Sequence, residues 1–214
     1  MENQAILLPS RVAFLNQCVK AKTIERGVFM PIKNDKHKEI IPTKGLWAGD
    51  PGAPVSLVLF GDYESEDCAK VHRVIVKLLE THGKKMKFNY RHFPLTQIHQ
   101  HAHKAAEAAV AAAQEGKFWE MHSLLYAHNR RLGTISLREY AREAGVTSKN
   151  FLPELVESKY GWTVRTDLLE GLDKGVRNVP TLFINDRVYH GRLSQPELSK
   201  AIDEECHTVK RKRA

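Results

Sequence analysis

The sequence has few cysteines and no long apolar run. Its 214 residues include only Cys18, Cys68 and Cys206, and no two of them form a C-x-x-C pair. Three scattered cysteines exclude a disulfide framework and make structural zinc improbable. No apolar run approaches the roughly 18 to 20 residues that a membrane span needs, and the N-terminus lacks the basic region of a secretory signal. We therefore predict a cytoplasmic protein with no membrane association.

Acidic residues are also in deficit, which leaves a net charge of +8. The excess is concentrated between Lys84 and Lys104 and in a basic tail, residues 207–214. Such clusters can attract phosphates or RNA, but no recognisable nucleic-acid-binding motif accompanies them. The favoured interpretation is a solvated surface with a frayed terminus, and a nucleic-acid partner is not expected.

Hydrophobic periodicity predicts an α/β fold interrupted by a helical block. A continuous apolar run over Val55–Phe60 is typical of a strand buried on both faces. The predicted elements that follow are a helix over 65–80, a strand over 86–93, helices through 98–157, a helix over 162–172, a hairpin around 181–190 and a last helix from Ser194. This order predicts an N-terminal extension (1–44), a core (45–93 and 158–206), an all-helical insertion (94–157) and the basic tail.

Three stretches carry a resemblance to a known family. They are "GDYESEDCAK", the alanine-rich "HKAAEAAVAAAQEGKFWEMHSLLY" and "NVPTLFIND". In this order they resemble the DsbA-like branch of the thioredoxin superfamily, over about Trp47 to Glu205. The resemblance implies a thioredoxin fold with an all-helical DsbA-like insertion, and a relationship to thiol-disulfide oxidoreductases.

The family's C-x-x-C motif is replaced by Ser65-Glu66-Asp67-Cys68. The resemblance puts Ser65 in the place of the attacking cysteine and Cys68 in that of the resolving one. Because disulfide exchange needs a thiolate and a second thiol, we predict that the dithiol activity is lost and that at most monothiol chemistry through Cys68 remains. Ser65 is expected to cap the helix by accepting a hydrogen bond. An inert, buried Cys68 is favoured over a working nucleophile.

The resemblance also implies a substrate-binding surface at a cis proline. Val179 and Pro180 occupy that position, and Tyr63 is a third candidate for substrate binding. His99 and His103 are spaced like paired metal ligands, but no cysteine or carboxylate at a matching spacing completes a site. A solvated helix face is the favoured interpretation, and no metal is predicted.

Three functions follow from these residues. The first is an oxidoreductase homologue that forms mixed disulfides through Cys68, with glutathione completing the cycle. The second is a non-catalytic module that binds an extended peptide or partner at the Ser65/Pro180 groove. The third is a transferase-like protein in which Ser65 hydrogen-bonds the sulfur of glutathione. No other cofactor is predicted, the possible partners are a peptide, a protein thiol or glutathione, and a homo-oligomer stays open.

Overall fold

The computed structural model describes residues 40–213, except for the side chains of residues 210, 212 and 213. Of the predicted N-terminal extension, only the last five residues are among those described. Cys18 lies outside the described residues. Within the described part of the chain, no helix is both long and apolar enough to cross a membrane.

A five-stranded mixed sheet forms the centre of the fold. Its strands are β1 (Trp47–Gly49), β2 (Val55–Gly61), β3 (Met86–His92), β4 (Thr181–Ile184) and β5 (Arg187–Val188). Their order across the sheet is β1-β3-β2-β4-β5. The pair β2 and β3 is parallel, whereas β1, β4 and β5 each join their neighbour antiparallel. A crossover helix connects the parallel pair, as parallel strands require.

Seven α-helices of the described chain surround this sheet. They are α1 (Glu66–His82), α2 (Ala102–Ala113), α3 (Phe118–Ala127), α4 (Thr134–Glu143), α5 (Phe151–Val156), α6 (Gly161–Asp173) and α7 (Gln195–Arg213). Because α7 continues to Arg213, the prediction of a frayed basic terminus is wrong. The mixed α/β architecture confirms the predicted fold class.

Both faces of β2 are covered, as its apolar run predicts. Val55, Leu57 and Leu59 belong to the main core, which also contains the inner face of α1. Phe60 lies on the opposite face in a smaller cluster with Phe93, Val176 and Phe183. The sheet is therefore packed on two sides, which fixes the end of β2 and the start of α1 as one rigid junction.

The block α2–α5 follows β3, and α2 lies at its centre. Ten of the 12 residues of α2 are buried, and eight of its residues are alanine. Small side chains on all sides allow α3, α4, α5 and α6 to approach this helix closely. The boundaries 94 and 157 of the predicted insertion stay a prediction.

A buried ion pair joins the sheet to α6 and to the last residues of the predicted extension. The Arg91 guanidinium lies 2.7 Å from the Asp167 carboxylate, and both side chains are at most 5% exposed. Thr43 is buried and its hydroxyl donates to the same carboxylate. Thr43 is therefore attached to the core, and the boundary of the predicted extension at residue 44 stays a prediction.

Candidate functional site

The candidate site is the junction between β2 and α1. Ser65 is the N-cap of α1, and its Oγ accepts a hydrogen bond from the Cys68 backbone N–H at 3.3 Å. This confirms the predicted cap. The side chain of Ser65 is half-buried, whereas Cys68, one turn further into the helix, is 0% exposed. Ser65 is therefore the partly exposed residue of this pair, and Cys68 is the buried one.

The surroundings of Cys68 oppose thiolate formation. Burial raises the pKa of the Cys68 thiol to about 11, hydrogen bonds from Ser65 and the Asp62 backbone lower this pKa only partly, and the Asp62 and Asp67 carboxylates raise it further. At pH 7 about one molecule in 10⁴ would carry the thiolate, roughly 300-fold fewer than for an ordinary cysteine. Among the described residues, neither Cys68 nor Cys206 forms a disulfide.

The acidic residues of the junction hold the following segments in place. The buried Asp62 carboxylate accepts hydrogen bonds from the Leu95 backbone N–H at 2.7 Å and from the Glu64 backbone N–H at 2.8 Å, and its Oδ2 lies 2.9 Å from His99 Nδ1. Glu64 accepts from the His101 backbone N–H at 2.6 Å. These bonds tie residues 95–101 to the start of α1. From the sequence alone, the acids beside Cys68 are explained only by their favourable interaction with the helix dipole. Nothing in the sequence indicates their hydrogen-bond partners in residues 95–101.

The structure places Tyr63 in the core, which corrects its assignment to direct substrate binding. Its side chain is 1% exposed, and its hydroxyl lies 2.9 Å from His122 Nδ1. Its ring packs against Tyr90 and Tyr126, with centroids 5.3 and 4.9 Å away. Tyr63 lies in the turn between the end of β2 at Gly61 and the cap Ser65, and this turn buries its side chain in the core.

Tyr63 belongs to a cluster of histidines and tyrosines beneath Cys68. We define this His–Tyr cluster by Tyr63, His72, Tyr90, His92, His122 and Tyr126. The Tyr90 and Tyr126 hydroxyls are 2.8 Å apart. Neither ring nitrogen of His92 has a hydrogen-bond partner within residues 40–213, nor does Nε2 of His122. Burial lowers the pKa of His92 to about 3, that of His72 to about 4 and that of His122 well below its ordinary value.

The histidines of this cluster predict a loss of stability in acid. A histidine whose pKa is depressed by folding gives stability that is complete above its unfolded pKa of about 6.5 and declines as the pH falls toward the folded pKa. We expect the free energy of unfolding, measured by urea titration, to fall below about pH 6.5 by up to about 1.4 kcal/mol per pH unit for each histidine. In His92→Leu, the free energy of unfolding should fall less steeply with decreasing pH, by the contribution of one histidine. Equal slopes in both proteins would contradict the depressed pKa of His92.

The second part of the candidate site is the segment before β4. The Val179–Pro180 peptide bond is cis, and both residues are partly exposed. Val179 also packs against the cluster that contains Phe60, so it lies between the core and the surface. Thr181, the next residue but one, pairs with Phe60 across β2 and β4.

The two histidines considered as metal ligands have separate partners. His99 contacts Asp62, whereas His103 Nε2 lies 3.4 Å from Glu107 Oε1. The described residues contain no group of three or more histidine, cysteine or acidic side chains that could hold a metal ion.

Sequence comparison identifies the family. A family model described as thioredoxin matches residues 42–204, so the chain belongs to the thioredoxin family. Curated relatives include the Na(+)/H(+) antiporter NhaA 1 of Salinispora arenicola, 36% identical over 75% of this chain, and NhaA 3 of Salinispora tropica, 34% identical over 75%. In both cases the match covers 24% of the relative, so the chain spans about a quarter of the length of these proteins.

Solved structures show the DsbA-like form of the fold. Oxidised BdbD from Bacillus subtilis matches with a TM-score of 0.70 and 21% identity, covering 78% of this chain and 96% of that one. The thiol-disulfide exchange protein alpha-DsbA2 from Wolbachia pipientis matches with a TM-score of 0.64 and 23% identity, covering 74% and 85%. The predicted DsbA-like thioredoxin fold is thus confirmed.

Proposed function

We propose that this chain is a DsbA-like thioredoxin-fold module without dithiol activity that binds an extended segment of a partner protein. The binding surface is the proline groove, defined by Ser65, Val179 and Pro180. The observation that carries the proposal is the state of Cys68, which is fully buried and mostly protonated at neutral pH, while Ser65 at the attacking position serves as the N-cap of α1.

Monothiol chemistry through Cys68 is the weaker alternative. A mixed disulfide forms when a thiolate attacks a disulfide along an open approach, and its rate depends on the thiolate fraction. Burial removes the approach, and the raised pKa of Cys68 removes most of the thiolate. Any residual reaction would require local opening of the first turn of α1.

Glutathione binding through Ser65 is the other alternative. The Ser65 Oγ accepts from the Cys68 backbone N–H, and its hydroxyl hydrogen could turn from the Cys68 sulfur to a ligand sulfur. This function requires saturable binding of glutathione that weakens in Ser65→Ala. Isothermal titration with millimolar glutathione distinguishes it, because absence of heat at that concentration rejects it.

The groove proposal is tested with an unfolded protein whose thiols are blocked. Carbamidomethylated α-lactalbumin offers extended segments but no thiol or disulfide. We expect saturable binding that weakens at least tenfold in Val179→Arg, because a bulky charge would fill the groove, and that is unchanged in Cys68→Ala. No binding by the wild-type chain would reject the proposed function.

The curated relatives bear on partner and location. Their names describe sodium–proton antiport, which takes place across a membrane, and this finding is at odds with the predicted cytoplasmic location. We propose that the chain works at a membrane surface, as part of such an antiporter or bound to one. Co-expression with a Na(+)/H(+) antiporter should move the chain into the membrane fraction; recovery from the cytosol alone would contradict this.

A further inference from the structure

A cleft beside α6 extends the surface that a bound segment could contact. It has a volume of about 470 Å³, and we call it the Trp162 cleft. The lining residues on which the argument depends are Pro94, Thr96, His103, Trp162, Arg165 and Leu168. This volume falls within the range of about 300 to 1,000 Å³ that is usual for ligand-binding clefts.

The cleft and the proline groove both contain residues that pack against one buried apolar cluster. Leu168 lines the cleft and packs against the small apolar cluster that contains Phe60 and Phe93. Val179 of the groove packs against the same cluster, as does Leu95, which lies between two lining residues. The Asp62 carboxylate accepts a hydrogen bond from the Leu95 backbone N–H, which fixes the position of Leu95 between the lining residues Pro94 and Thr96.

The cleft offers an aromatic contact that the fold itself does not use. Trp162 is 72% exposed, far more than a tryptophan required for the core. An exposed large aromatic side chain at a concave surface is characteristic of a binding anchor.

The charge of the cleft selects the occupant. Among the described residues that line it, none is acidic, and Arg165 has no carboxylate partner in residues 40–213. The Arg165 guanidinium carbon lies 6.0 Å from the centroid of the Trp162 ring, so a positive charge stands beside the aromatic surface. Glu107, behind the cleft, is fully buried and already contacts Lys104 at 2.9 Å.

We infer that the Trp162 cleft receives the continuation of the segment bound at the proline groove, and that this continuation carries an apolar residue next to an acidic one. The apolar residue packs on Trp162, and its acidic neighbour pairs with Arg165. The inference rests on the proposed function, because it extends the same bound segment. It defines the partner as an acidic, extended protein segment.

The test compares two unfolded, carbamidomethylated proteins, acidic α-lactalbumin and basic lysozyme, by isothermal titration. We expect tighter binding of α-lactalbumin, a loss of at least tenfold in Trp162→Ala, and a preference reversed toward lysozyme in Arg165→Glu. Two variants at exposed positions outside the cleft, Ile135→Ala and Lys77→Glu, are matched controls for surface and net charge. They should leave the affinities within twofold.

The outcomes separate this inference from the proposed function. Binding that is lost in Val179→Arg but unaffected by Trp162→Ala and Arg165→Glu would overturn the inference about the cleft. The proposed binding at the proline groove would then still stand. Equal weakening in Arg165→Glu and Lys77→Glu would overturn it as well, because net charge alone would then explain the preference. A dimer that dissociates in Trp162→Ala, seen by sedimentation, would make a second copy the occupant and overturn the inferred partner.

Discussion

Ser65→Cys is expected to create a working dithiol in a chain whose sequence contains no C-x-x-C pair. The introduced thiol would occupy the half-exposed N-cap of α1, where unpaired N–H groups and the helix dipole lower a thiol pKa. It could form a disulfide with Cys68, three residues further along the helix. We predict that Ser65→Cys accelerates the reduction of insulin by dithiothreitol at least about 100-fold over the wild-type chain. The rate with the wild-type chain should equal the uncatalysed rate.

Two variants separate this gain from other effects of the substitution. Ser65→Cys combined with Cys68→Ala should trap mixed disulfides and fail to turn over, because the resolving thiol is absent. Ser65→Ala should stay inactive and lose about 1 kcal/mol of stability with the helix cap. An inactive Ser65→Cys that still folds would show that the acids around the junction, and not the serine alone, abolish the reaction.

Arg91→Met is expected to be the most destabilising single change at the sheet. It would leave Asp167 buried next to Thr43 and the His92 backbone N–H, without its main cationic partner. Breaking a buried pair by removing one partner costs about 3 to 5 kcal/mol, equivalent to about 10 °C in a domain of this size. Urea and thermal denaturation measure the loss directly.

The loss of stability in Arg91→Met is also expected to depend on pH. Burial already raises the pKa of Asp167 in spite of the Arg91 guanidinium, and losing that charge would raise the pKa of Asp167 further. A carboxyl whose folded pKa exceeds its unfolded pKa favours folding at low pH, so the deficit of Arg91→Met should shrink as the pH falls toward 4. Lys85→Met, which removes an exposed pair with Asp203, is the control and should cost less than about 1 kcal/mol. Equal losses in the two variants would contradict the role of the buried pair.

Local patterns were sufficient to predict most of the architecture. The helical spacing of Val71, Ile75 and Leu78 predicted α1, and the apolar run from Val55 predicted a strand covered on both sides. Both patterns work because burial of a regular element imposes its own period on the sequence. Strand β1 was missed since its three residues, Trp47–Gly49, are held by pairing with β3 and not by any local preference.

The candidate site was predictable only in part. Local rules predicted that Ser65 caps α1, because the cap and its partner lie three residues apart. The bonds from Asp62 to Leu95 and His99, and the contact of Tyr63 with His122, join residues 33 to 59 positions apart. Nothing in the sequence near Asp62 or Tyr63 indicates these partners. The sequence therefore leaves Tyr63 as a candidate for substrate binding.

The proposed function requires that Cys68 is a core residue whose thiol does not react in the native chain. Its most direct test is the rate of Cys68 alkylation by iodoacetamide against pH, in a chain carrying Cys18→Ser and Cys206→Ala. The alanine is chosen because Cys206 is itself buried. We predict negligible modification of the native protein at pH 7, with rates that rise only toward the thiol pKa of about 11 or on unfolding in urea. Rapid native alkylation with an apparent pKa below that of free cysteine, about 8.5, would contradict the account and restore Cys68 as a nucleophile.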